Sequence, residues 1–174
     1  MLQPAGSIVQ TAFVVDELAT HMNNWLRTRL TGPFFLLEHL EIVQPTYRGE
    51  HTILDISIAL AYSGGTCIEL IQQHNDAPSV YREQRQSQKG GCHHIAMMTA
   101  DFAQEQQLYE DLGHTTVFSG AVAVGGRFAY VDTFDTLGCL VEIIELTPVV
   151  SELFHTIEQA AVNWNGEDPI RTMQ

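Results

Sequence analysis

An imidazole, two carboxylates and a primary amide stand at matching places in two halves of this chain. Together they make a donor set for a divalent cation. His94 lies in Gly91-Cys92-His93-His94-Ile95-Ala96-Met97-Met98, and Gln10 in Ile8-Val9-Gln10-Thr11-Ala12-Phe13-Val14-Val15. In both, the metal-capable residue is followed two positions later by an alanine in an apolar run, then by an amphipathic helical pattern. Gln10 to Trp25 and His94 to Tyr109 each span fifteen residues. Glu69 and Glu142 close the halves, in Gly65-Thr66-Cys67-Ile68-Glu69-Leu70-Ile71 and Gly138-Cys139-Leu140-Val141-Glu142-Ile143-Ile144. A carboxylate between Ile68 and Leu70, or between Val141 and Ile143, is costly to bury unless something positive neutralises it. Lys and Arg are scarce near these four residues, so zinc, manganese, cobalt or nickel is the natural counter-charge. One such glutamate on an edge strand could simply point to solvent; two at equivalent places argue for a site. Such a set leaves open positions on the metal for water or substrate, where the ion acts as a Lewis acid.

The elements that would position these groups repeat. Ile8 to Val15 reads as a strand and Asp16 as a helix cap, with Leu18, Met22, Trp25, Leu26 and Leu30 on one helical face. Phe34 to Val43 reads as a strand, Pro45 to Glu50 as a turn, and Ile53 to Tyr62 as an alternating strand. In that strand Leu54, Ile56, Ile58 and Leu60 share one side; Asp55 and Ser57 share the other, which is read as open to substrate. Ser63-Gly64-Gly65 turns into a strand from Thr66 to Gln72. The second half runs as a strand from His93 to Thr99, a helix from Asp101 with Phe102, Leu108, Tyr109 and Leu112 inward, and strands near Thr115 to Ser119, Phe128 to Thr133 and Cys139 to Leu146. The ligand spacing is 59 residues in the first half and 48 in the second, and the excess of 11 falls between Leu40 and Glu50. The expected fold is α+β: two βαβββ modules, 1–73 and 92–148, forming a cupped mixed sheet around a metal site. A junction or lid, 74–91, separates them, and a C-terminal helix and tail, 149–174, carry Leu153, Phe154, Ile157, Ala161 and Trp164 on one face before Gly166 and Pro169 end regular structure. In the junction, Tyr81 and Arg82 are read as substrate contacts, and Arg82, Arg85 and Lys89 as the one local basic cluster.

Composition narrows the partners. With 21 acidic residues against 8 basic ones, a net charge of -13 and Lys89 as the only lysine, the chain suits neither nucleic acid nor an anionic membrane. Cys67, Cys92 and Cys139 are read as reduced thiols, in keeping with a cytoplasmic protein. No apolar run reaches the length of a bilayer-crossing helix. His93 is read as structural, on the opposite side of its strand from His94. His21, His39, His51, His74, His114 and His155 share no spacing with the quartet and are read as surface or satisfied core groups.

The duplicated pattern, from about Ser7 to Pro148, resembles the vicinal oxygen chelate superfamily, the glyoxalase and bleomycin-resistance fold. The resemblance implies a cup around a divalent metal with Gln10, Glu69, His94 and Glu142 as ligands, and a dimer as the common assembly. The segments around His94 and Glu142 are most similar to the methylmalonyl-CoA epimerase branch, whose first two ligands are usually histidine and glutamine. The glutamine, glutamate, histidine, glutamate set is that of glyoxalase I. Val14 and Gly90, however, stand where glyoxalase I has basic side chains for glutathione. The implied function is a metal-dependent isomerase, epimerase or lyase acting on a small carbonyl or thioester compound by proton transfer next to a metal-held carbonyl, with Glu142 or Glu69 as base. Either carboxylate can act so only by loosening from the metal, and the two roles trade off. The alternatives are an extradiol-type dioxygenase, which needs two histidines and one carboxylate around iron(II), and a non-catalytic binding protein of the bleomycin-resistance kind.

Overall fold

The computed structural model describes residues 6–28, 31–87, 91–123 and 125–173; Leu30 and Lys89 lie outside these. The first half contributes β1 (Gln10–Val14), α1 (Leu18–Thr28), β2 (Phe34–Leu37), β3 (Ile42–Tyr47), β4 (Glu50–His51), β5 (Ile56–Ser63) and β6 (Thr66–Gln73). After α2 (Val80–Gln86) the second half contributes β7 (His94–Thr99), α3 (Phe102–Asp111), β8 (Thr116–Val122), β9 (Arg127–Val131), α4 (Phe134–Leu137) and β10 (Leu140–Glu145). The chain then forms α5 (Pro148–Ala161) and β11 (Ile170–Thr172).

All strands join one mixed sheet in the order β11-β2-β5-β6-β1-β7-β10-β9-β8-β3-β4. Its centre is symmetric: β1 and β7 pair antiparallel, and each pairs in parallel with the last strand of its own half, β6 or β10. The α+β fold of two βαβββ units is therefore the one expected.

The 11-residue excess of the first half has a definite use. It forms β3 and β4, and β3 pairs with β8 at the far edge of the second half, so the insertion lengthens the opposite half's sheet. The strand expected through Val43 instead ends at Leu37, and the turn expected at Pro45 is strand. Pro45 is tolerated because the ladder between β3 and β8 shifts register between Val43 and Thr46, where a missing N–H costs nothing.

Three apolar layers hold the sheet. On one face Leu18 and Met22 of α1 pack against Phe34, Ala59, Ala61 and Leu70, with Trp25 against Phe13. Phe102 of α3 packs against Ala129, Val131 and Ile143. On the other face α5 lies in the cup, where Ile157 is wholly buried and Leu153 and Phe154 rest on the core that includes Ile58, Leu60 and Phe118. Each fully buried aliphatic or aromatic side chain in these layers contributes roughly 1.5–3 kcal/mol. Gly126 lets α5 dock: a Cβ there would come within 2.8 Å of Val150 Cγ2, and its φ of +145° already favours glycine.

Four local expectations change. Asp16 does not cap α1; the Glu17 carboxylate accepts from the N–H groups of Ala19 and Thr20, while Asp16 pairs with Arg85. Leu108 and Leu112 face solvent, since α3 covers only the narrow strip that Phe102 and Tyr109 fill. The junction carries a helix: Ser79 caps α2 and Tyr81 is driven into the core. Regular structure does not end at Pro169, because β2 is an open edge and β11 adds to it in parallel. The helix expected from Asp101 begins at Phe102, and Asp101 caps it by accepting from the Gln104 N–H.

Candidate metal centre

Register puts the four donors together. Ala12 of β1 stands opposite both Glu69 on β6 and His94 on β7, and Ala96 of β7 stands opposite both Gln10 and Glu142. Side chains two apart on a strand share a face, so each alanine sits between donors on the cup side. All four donors are buried. His94 Nε2 lies 3.2 Å from Glu69 Oε2 and 3.1 Å from Glu142 Oε2. The Gln10 amide nitrogen donates to Glu69 Oε2 at 2.8 Å and lies 3.4 Å from His94 Nε2. Turning that amide over would present its oxygen, the ligating atom, at the same place.

The electrostatics are those of a cation site. The ligand atoms of Glu69, His94 and Glu142 all lie within 4.8 Å of one another. Burial raises the Glu69 carboxyl above its usual range against the opposing pull of His94. Burial pushes the His94 imidazole down, but Glu142 first and then Glu69 outweigh it and lift it to about 9. A proton on His94 thus occupies the place a metal would take. The one cationic side chain along the cavity among the described residues, Arg127, is engaged by Glu145 through bonds of 2.6 and 3.0 Å. Two buried carboxylates, an imidazole and an amide with no arginine or lysine to balance them fit a divalent ion.

His93 sits beside this set. Its Nδ1 lies 2.9 Å from His94 Nδ1, so one of the two nitrogens carries the shared proton. Burial, followed by the charge of His94, holds His93 well below its usual range, so it is neutral. With His94 Nε2 turned to the carboxylates, its Nδ1–H donates to His93 Nδ1, and His93 keeps its own proton on Nε2. That nitrogen makes no hydrogen bond of good geometry, although the Val80 carbonyl is near enough to favour its proton. The expected opposite-face placement does not isolate His93 from the site: β7 begins only at His94, so pleating does not hold the preceding side chain away.

Tyr130, which sequence reasoning passed over, stands opposite Glu142 in the β9–β10 ladder. Its ring lies edge-on to His94 at 4.8 Å, and its hydroxyl accepts from the Tyr81 hydroxyl at 3.1 Å. Burial holds both phenols neutral, well above their ordinary range. Leu60 is the first-half counterpart of Tyr130, opposite Glu69, so comparing the halves strand by strand would have marked the tyrosine.

Of the other expected substrate contacts, Tyr81 lines the cavity and Asp55, Ser57 and Arg82 do not. In β5 the cup face is Ile56, Ile58 and Leu60; Ser57 points to the other side, toward His39 and His74, and Asp55 bonds His39. Arg82 pairs with Asp76 and Arg85 with Asp16, so neither offers a free charge. The cavity is about 110 Å³, largely aliphatic and aromatic, and roofed by Val150, Leu153 and Phe154 of α5.

Residues 9–130 match the profile of the Glyoxalase/Bleomycin resistance protein/Dioxygenase superfamily. Among solved structures, the chain is similar to a methylmalonyl-CoA epimerase from Mycobacterium tuberculosis, at 17% identity and a TM-score of 0.57, over 87% of this chain and 97% of that one. A hypothetical protein from Bacillus halodurans C-125 matches at 17% identity and a TM-score of 0.57, over 81% and 94%. A Streptomyces coelicolor methylmalonyl-CoA epimerase variant in complex with 2-nitronate-propionyl-CoA matches at 17% and 0.53, over 83% and 97%. No curated protein matches in sequence. No helix among the described residues is long and apolar enough to cross a membrane.

Proposed function

The chain belongs to the glyoxalase/bleomycin resistance protein/dioxygenase superfamily, and we propose that it is a divalent-metal-dependent isomerase, epimerase or lyase that moves a proton next to a carbonyl. Gln10, Glu69, His94 and Glu142 would hold the metal. The observation that carries the reading is the convergence of two buried carboxylates on one histidine nitrogen, with no arginine or lysine among the described residues to balance them. When bound, the cation supplies a Lewis acid for the substrate oxygen and so acidifies the adjacent carbon.

The residues divide the remaining work unequally. Glu69 is tied by both Gln10 and His94, whereas Glu142 is bonded by His94 alone among the described residues. Glu142 is therefore the freer carboxylate and the better base. It takes the proton from the carbon and returns it, to the same or an adjacent position. Tyr130, opposite Glu142, offers a neutral hydroxyl to a substrate oxygen. The aliphatic walls exclude water, which strengthens each of these contacts.

The substrate we infer is a small, weakly charged carbonyl compound. A cavity of about 110 Å³ under α5 is far below the several hundred Å³ that holds a cofactor-sized ligand. Among the described residues, the pairing of Arg82 and Arg85 with carboxylates leaves no free basic patch beside it for a CoA thioester. Ring cleavage by iron(II) is disfavoured because an amide stands where a second imidazole is needed. The test is metal analysis of the purified protein, then incorporation of solvent deuterium into small ketones, hydroxyketones and thioesters. Exchange that needs the metal and is lost in Glu142→Gln supports the reading. Oxygen uptake in place of exchange, or full exchange in Glu142→Gln, would sink it.

A further inference from the structure

We propose a second metal site, on the face of the sheet away from the cup, formed by His39, Asp55 and His74 and suited to a late first-row divalent ion such as zinc, nickel or copper. The three residues come from separate segments: the loop after β2, the approach to β5 and the end of β6. Their ligand atoms all lie within 4.8 Å of one another. His39 Nδ1 is 2.6 Å from Asp55 Oδ1, and the two imidazole rings face each other with centroids 4.9 Å apart.

The backbone beneath this cluster is fixed. The His74 N–H donates to the Asp55 carbonyl at 2.8 Å, and the Leu40 N–H to the Ile56 carbonyl at 2.8 Å. The Asn75 amide donates to the Ile53 carbonyl at 2.7 Å. Ser57, only 3% exposed, lies under both histidines. Its hydroxyl oxygen accepts from the His39 N–H at 3.0 Å and lies 2.7 Å from His74 Nε2. A histidine that ligates a metal keeps its other nitrogen in such a bond. Among the described residues none bonds the other nitrogen of His74. His39 holds a positive φ of 50°, an uncommon conformation for a side-chain-bearing residue, and it brings the ring over Asp55.

The donor set differs in kind from the buried one. Two imidazoles and one carboxylate prefer zinc, nickel or copper, and an exposed three-ligand site leaves coordination positions to water or to another ligand. A surface ion pair between His39 and Asp55 alone would need neither His74 nor the buried hydroxyl under it.

The site is tested on the whole chain, stripped with chelator and titrated with zinc alone, in a Glu69→Gln/Glu142→Gln background that removes the cup's carboxylates. One equivalent bound in that background, lost in both His39→Ala and His74→Ala and weakened at least tenfold in Asp55→Asn, is the expected result. Copper(II) should show nitrogen couplings from two imidazoles, reduced to one in either histidine variant. Unfolding midpoints without metal should be unchanged, because all three side chains are at the surface, and zinc should raise the midpoint only where His39 and His74 are both present. No zinc bound in the carboxylate-free background, or zinc bound equally well after loss of either histidine, overturns the proposal. Neither outcome bears on the cup.

Discussion

Ala12 and Ala96 occupy equivalent places on the two central strands, each flanked across the ladders by two of the four donors. They are 0% and 1% exposed, and their small size keeps the space between donors open. A larger side chain must fill that space or move the ligands. Ala96→Leu should abolish stoichiometric metal binding and cost about 1–3 kcal/mol in urea unfolding through overpacking. Unchanged binding in Ala96→Leu would make the alanines ordinary core residues.

Glu142 and Glu69 should separate by function. Glu142→Gln should lower turnover by about 10²–10⁴, the usual contribution of a positioned base. Glu69→Gln should act first on metal content, because Gln10 and His94 both hold Glu69 in the place proposed for a ligand. Measuring metal content and turnover on the same samples distinguishes the two.

His93 should matter to His94 through the proton they share. His93→Phe removes the acceptor for His94 Nδ1–H and should weaken metal binding by about 10–100-fold, as loss of a histidine-orienting partner does. His93→Gln, whose amide oxygen can accept the same proton, should recover part of that loss. A role in packing alone would be served as well by phenylalanine, and the order of the two variants decides.

The α5 roof sets both stability and substrate size. Ile157 is wholly buried, so Ile157→Ala should cost about 2–5 kcal/mol. Phe154 is only half-buried on the cavity side, and Phe154→Ala should widen the site and admit bulkier carbonyl compounds. Turnover across a size series, read in both proteins, checks this.

Acid should act early on the hairpin rim. Arg127 holds the Glu145 carboxyl down at about 2, through its side-chain bonds and then its N–H. A depressed carboxylate contributes stability that is complete above its unfolded value of 4.5 and is lost as pH falls toward 2. With the Arg127 side chain 53% exposed, the contribution is at most about 1 kcal/mol. The stability difference between wild type and Glu145→Gln should be constant from neutral pH to about 5 and vanish near pH 2.

What was legible in the sequence was local and periodic. The spacing of alanine after Gln10 and His94, and of Glu69 and Glu142 between aliphatic residues, records strand pleating and burial, so the halves and the four polar residues that meet between them could be read from it. The same alternation split Asp55 and Ser57 from Ile56 and Ile58, but it does not say which side becomes the cup. That depends on where α1 and α5 pack, and these put the aliphatic side inward. Tertiary structure alone decided that the insertion after β2 pairs with the opposite half, that Tyr81 and Tyr130 meet, and that His93 touches His94. It also gathered His39, Asp55 and His74 into one cluster. Each of these contacts joins residues whose separation along the chain follows no period, and it exists only because the closed sheet brings their strands and loops together.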